Sequence, residues 1–341
     1  MMKILLLFLF ASATVQAQWF YQEGGTTERL RAVSAVNDSI VWASGNHGTF
    51  TRTTDGGRSW IASHVAGGDS LDFRDIEAFD ANTVYLLSIG PGKRSRIYKS
   101  IDGGSSWILQ FAGSDAKLFL DEFAFWDSMN GMAVGDEIDG HLFLMRTTDG
   151  GLHWSQIPPA SIPKAHPGEG AFAASGSGIT VEGTSNVWIG TGVKTARVFR
   201  STDRGQTWNV AVTPLMNENE TSGIFSVAFC GAKKGIVVGG DYQKVSATHA
   251  NVALSNDGGI TWKLAPGSPP AGFRSAVIYV SCDYLITVGP SGTDFSTDGG
   301  KSWKQIDMIG YHAVGRARDG KGIWAVGEGG RIGHYVDLIV R

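Results

Sequence analysis

Cysteine is scarce in this chain: Cys230 and Cys282 are the only two among 341 residues, and neither has Cys-x-x-Cys spacing. A redox dithiol or a zinc-thiolate centre therefore finds no support. Proline is also rare, at ten residues, and charged residues make up only 18% of the chain, with a net charge of -3 and no basic run. That balance gives no drive toward nucleic acid. No Gly-x4-Gly-Lys-Ser/Thr loop, Gly-x-Ser-x-Gly turn or metal-spaced histidine cluster is present, and the Gly-rich run at 327–333 lacks the strand-loop-helix setting of a dinucleotide loop. The reading therefore assigns no cofactor and no metal. One apolar run stands out, at residues 4–10, and it is too short to span a bilayer. It follows Lys3 and precedes Val15-Gln16-Ala17, the pattern of a secretory signal over residues 1–17 with cleavage before Gln18. A periplasmic or secreted protein with no membrane span is expected, acting as a monomer.

What is abundant is glycine, with 47 residues, and much of it recurs in one octapeptide. Residues 53–60, 100–107, 147–154, 201–208, 255–262 and 296–303 each read as a hydroxyl residue, a spacer, Asp, one residue, Gly, a spacer, usually Ser or Thr, and Trp. Two copies depart from the pattern: Arg204 replaces the first glycine of one, and His153 replaces the hydroxyl residue before Trp154. Such a segment suits the turn of a β-hairpin, in which the carboxylate accepts backbone N–H bonds and glycine takes positive φ. Asp55, Asp102, Asp149, Asp203, Asp257 and Asp298 are therefore read as structural, and the tryptophans that follow as core.

The six aspartates lie 47, 47, 54, 54 and 41 residues apart, which is propeller-blade spacing, and no helical stripe lies between them. The 324 residues from Gln18 onward hold close to seven such units. After the sixth octapeptide only three strands remain, while residues 18–22 read as a fourth strand with Trp19 in the recurrent tryptophan's role. The expected fold is thus all-β: a seven-bladed propeller over residues 18–341, its last blade closed by the N-terminal strand, which removes an open sheet edge. Cys230 and Cys282 occupy comparable places in successive units, so a disulfide between neighbouring blades and two buried thiols are both open.

In a propeller built this way, the starts of the inner strands share one face around the central channel. Aligning the units on the glycine that ends each second strand places Arg31, Arg74-Asp75, Asp121-Glu122, Ser175-Gly-Ser177, Phe225-Ser226, Arg274-Ser275 and Tyr311-His312 there. Arginines and carboxylates at such crowded positions either pair with one another across a wet channel or form a pocket in which guanidinium forks grip a carboxylate or phosphate. Glu169, in a Pro-rich loop, and Asp241-Tyr242, opening another long loop, join the candidate funnel.

The octapeptides resemble the Asp-box, or bacterial neuraminidase repeat. Asp72-Phe-Arg-Asp75, residues 168–175, Gly223-Ile-Phe-Ser226, Gly239-Gly-Asp-Tyr242 and Phe273-Arg-Ser275 further resemble the photosystem II stability/assembly-factor-like family. That resemblance implies a seven-bladed, non-enzymatic propeller that binds a ligand, peptide or partner protein at the channel face. The alternative is a sialidase-like glycoside hydrolase, in which Arg31, Arg74 and Arg274 would converge on an acidic sugar beside Tyr311, with Glu122, Glu169 and Asp75 as candidate carboxylates. The Arg-Ile-Pro motif of that family is absent, since Ala32 and Val33 follow Arg31.

Overall fold

The computed structural model describes residues 18–336; the leader segment expected at residues 1–17 lies outside them. Seven antiparallel sheets of four strands succeed one another along the chain. Their inner strands are Leu30–Ala35, Asp72–Ala78, Leu120–Phe125, Ile179–Glu182, Ser222–Cys230, Ala276–Tyr279 and Ala313–Arg316, which define blades 1 to 7. Each inner strand contacts the inner strand of the next blade, and the strand of blade 7 contacts that of blade 1, so the ring closes. Closure comes from the N-terminal strand Gln18–Glu23, which pairs with Arg331–Val336 in the register Trp19↔Tyr335. The first and last described strands thereby share one sheet, with the N-terminal strand as its outermost member.

The octapeptides form the turns between third and fourth strands, as their chemistry predicts. At residues 53–60, Thr53 Oγ1 donates to Asp55 Oδ1 (2.8 Å) and accepts from Gly57 N (2.9 Å), while Ser59 N and Ser59 Oγ donate to the same carboxylate. Hydrogen bonds from Ser59 and Thr53 hold the Asp55 carboxyl down, to about 2. Gly56 and Gly57 have φ of 74° and 83°, conformations a Cβ disfavours. His153 keeps this pattern by other means, placing Nδ1 2.7 Å from Asp149 Oδ2. Trp60, Trp208, Trp262 and Trp303 are buried between blades and Trp107 and Trp154 partly so; Trp19 is buried in the equivalent role without a preceding octapeptide. Burying a large indole stabilises by up to a few kcal/mol at roughly 25 cal/mol per Å².

Cys230 and Cys282 are joined, with Cα atoms 5.4 Å apart, tying blade 5 to blade 6. The inner strands share one irregularity that places the candidate site. In blades 1, 2, 3 and 5 the pairing with the second strand skips a residue, and the skipped residues are Arg31, Arg74, Asp121 and Phe225. The residue before each bulge, Leu30, Phe73, Leu120 or Ile224, is fully buried in the blade wall. In blades 6 and 7 the pairs Ala276↔Val288 and Ala313↔Val326 put Ser275 and His312 in the skipped place. Arg274 and Tyr311 then fall in the buried place, against Gly289 and Gly327 as Leu30 lies against Gly45. Alignment by glycine alone is therefore one residue out for Arg274, and in a strand one residue reverses the direction of the side chain.

Candidate functional site

A segment of irregular backbone, residues 168–178, leads into blade 4 and crosses the hub. Arg31 Nη2 donates to Ala174 O (2.9 Å) and Arg74 Nη1 to Ala173 O (2.8 Å). Ser175 Oγ donates to Ser275 O (2.9 Å) and Ser177 Oγ to Ser226 Oγ (2.8 Å). Phe172 stacks on Phe225 with ring centroids 3.9 Å apart, and Phe273 and Tyr242 meet Phe225 edge-on. Five blades thus contribute to one centre: a cationic side from blades 1 and 2, an aromatic side from blades 5 and 6, and the blade 4 segment between them.

Arg31 is 9% exposed, and its Nε has no hydrogen-bond partner. Burial and then the charge of Arg74 lower its pKa to about 9. Arg74 is partly compensated by Asp72, whose carboxylate accepts from Nε at 2.7 Å. His312 lies on the same side, 2.9 Å from Glu328 Oε1, and burial followed by the charge of Arg31 lowers its pKa to about 4. Glu328 also pairs with Arg29.

The carboxylates are placed differently from the expected Arg-acid ring. Asp75 accepts from the backbone N–H of Ile76 (2.7 Å) and Phe123 (2.8 Å), and Glu122 from those of Gly178 and Ile179. Asp121 is buried with Oδ2 unpartnered. None of the three pairs with an arginine among the described residues. Burial raises all three: Asp75 well above the usual range with Glu122 adding, Asp121 likewise with Asp136 adding, and Glu122 to about 8. Burial favours their protonated forms, and none serves an arginine as counter-ion.

Four other expected members of the funnel belong elsewhere. Arg274 is fully buried and locked to Asp294, its Nε donating to Oδ2 at 2.6 Å, with Ser291 Oγ and Phe273 O taking Nη1. Glu169 is fully buried against Arg197, accepting from Nε at 2.9 Å as well as from Nη2, Thr191 Oγ1 and His166 N. Asp241 fastens its own loop, accepting from Thr221 Oγ1 (2.6 Å), Asn219 Nδ2 (3.0 Å) and Gln243 N (2.9 Å). Tyr311 is buried with its ring 5.1 Å from that of Trp19, and burial raises its phenol. Tyr242 stays at the hub, 46% exposed.

Sequence reasoning missed Asp294, Arg197, Asp136 and Phe172. Asp294 could have been suspected as the lone charge within the third strand, Gly292–Ser296. Phe172 had no such signal, because it belongs to no strand and its role depends on where the crossing segment lands. No group of His, Cys, Asp or Glu suited to hold a metal ion occurs among the described residues. No helix among them is long and apolar enough to cross a membrane.

No family model and no curated protein matches the chain. Among solved structures it is similar to YCF48 bound to a D1 peptide, with a TM-score of 0.65 and 16% identity over 94% of this chain and 97% of that one. YCF48 from Cyanidioschyzon merolae superposes with a TM-score of 0.64 and 13% identity, over 93% and 98% of the two chains. A GH74 xyloglucanase from Xanthomonas campestris gives 0.64 and 17%, over 93% of this chain and 53% of the enzyme. At these identities the common property is the architecture, and the chain is a seven-bladed β-propeller of the shape those proteins share.

Proposed function

We propose that this protein is an exported, non-enzymatic propeller that binds a peptide or protein segment bearing a carboxylate at its channel face. The observation that carries the reading is the Arg31–Arg74 pair: two neighbouring guanidinium groups directed at successive backbone oxygens of one segment, the more deeply buried without an acid partner and with a free Nε donor. They already hold two successive backbone oxygens, and a carboxylate offers the same two acceptors with a charge added. The aromatic group of Phe172, Phe225, Phe273 and half-exposed Tyr242 supplies an apolar bed beside them. The YCF48 structure with a bound D1 peptide gives a precedent for peptide binding on this fold. Export is supported by the leader pattern at residues 1–17 and by the joined cysteines, which need an oxidising compartment to persist.

Against the sialidase-like alternative weighs the position of Arg274, whose charge is spent on Asp294 in the wall of blade 6. The test is fluorescence anisotropy with a labelled peptide library in free-carboxylate and C-terminally amidated forms. Tighter binding of the free carboxylates, weakened by about tenfold or more in Arg31→Gln, is expected for loss of a charge-assisted bond. Indifference to both changes would sink the reading. Turnover of a chromogenic sialoside, abolished in Arg31→Gln, would replace it by the hydrolase.

A further inference from the structure

The octapeptide turns sit on the face opposite the funnel, and one junction there differs from its neighbours. At the junction of blades 1 and 2, Arg52 lies over Trp42 and reaches the first glycine of the next turn; a Cβ on Gly103 would come within 2.4 Å of Arg52 Nη1. At the junction of blades 2 and 3, Lys99 lies over Tyr85 and donates to Gly150 O (2.9 Å), with a Cβ on Gly150 placed 3.3 Å from Nζ. At these two junctions the cation before the turn thus has a seat made by the glycine of the following blade. At the junction of blades 3 and 4 the corresponding cation is Arg146 and the corresponding glycine is replaced by Arg204.

Arg204 keeps the turn's left-handed backbone, with φ of 57°, and fills the seat itself. Its guanidinium lies over Trp126, 5.8 Å from the ring centroid, and Nε donates to Thr184 O at 2.6 Å. Arg146 is left exposed, with no ion pair or side-chain hydrogen bond among the described residues. The two arginines line one cavity of about 330 Å³ with Asn130, Gln206 and the exposed Thr148. The nearest acid to Arg204 is Asp127, whose Oδ2 is 3.8 Å from Nη2 and whose carboxylate is also occupied by Asn130.

We propose that this junction binds a phosphate- or sulfate-type oxyanion between Arg146 and Arg204. A carboxylate presents one edge to one guanidinium fork. A tetrahedral dianion presents an edge to each of two forks and matches two cations of which only one is weakly compensated. The site is independent of the funnel and needs no peptide. Its cost is a non-glycine residue at positive φ where five other turns keep glycine, the kind of backbone strain that accompanies a binding role.

Isothermal titration of the full chain at constant ionic strength tests this with sodium phosphate, sodium sulfate, glucose 6-phosphate and, as control, sodium acetate. Saturable one-to-one binding of phosphate or sulfate but not acetate is expected. It should weaken by about tenfold or more in Arg146→Gln and in Arg204→Gly, as loss of a bidentate contact would produce. Arg204→Gly restores the residue of the other turns and so keeps the fold, while Arg31→Gln should leave this binding untouched. Stronger binding of glucose 6-phosphate than of the free ion would assign the group to a carried ester, and the reverse to the inorganic ion. Absence of saturable heat, equal binding of acetate, or binding unchanged in both variants would overturn the proposal.

Discussion

Arg31 and Arg274 are both buried arginines at the start of an inner strand, yet they do opposite things. Arg274 lies in the wall of blade 6 with its charge matched by Asp294 and its Nη1 met by Ser291 and Phe273. Arg31 lies at the hub on a bulge, next to another cation, with only a backbone oxygen and an empty donor. Wall positions are over-determined and serve the fold. Hub positions carry uncompensated polarity, which is what the proposed binding would use.

The sharpest way to break this contrast is to remove each guanidinium in turn. Arg274→Ala should cost about 3–5 kcal/mol in chemical denaturation, because it leaves Asp294 buried and unpaired. Arg31→Met should cost far less or stabilise the protein, since no buried acid loses its partner. Equal losses would erase the distinction. The same wall is tied by Cys230–Cys282, which closes a loop with a sequence separation of 52. Replacing both by serine should lower stability by about 2–4 kcal/mol without affecting binding at the hub.

Protonation separates the faces as well. Glu122, Asp75 and Asp121 have folded-state values raised above those of the unfolded chain, so their contribution is present at acid pH and is lost as pH rises, for Glu122 through about 8. The octapeptide aspartates, held to about 2 at Asp55, Asp102 and Asp298, stabilise above their unfolded value and lose that contribution as pH falls toward 2. The melting temperature should therefore peak in mildly acidic solution and decline on the alkaline side, and Glu122→Gln should flatten the decline. An unchanged alkaline slope in that variant would place the titration elsewhere. The smallest effect belongs to the turn face: Arg204→Gly should raise stability by about 1 kcal/mol by relieving positive φ. A loss there would mean that the Arg204 contacts with Trp126 and Thr184 outweigh the strain.

The ring of blades was readable because its punctuation is local. Asp55 and its counterparts satisfy backbone groups four residues away, so the turn is complete within eight residues and its spacing counts blades directly. Trp19 could be assigned to the last sheet because a missing fourth strand and an unpaired N-terminal strand solve one problem together. The hub was readable only in part. Arg31, Arg74 and His312 lie at it, but Arg274 and Tyr311 are one residue off, and Glu169 and Asp241 are tied down by Arg197 and by Thr221 and Asn219.

Sequence by itself determined the number of sheets, the chemistry of their turns and the seam between the two ends, since each follows from contacts between near neighbours or from the avoidance of a bare strand edge. Only the tertiary structure decided which charges face the channel. A bulge changes the parity of a strand without leaving a mark in composition, and residues 168–178 meet Arg31, Arg74 and Phe225 only after the ring has closed around them.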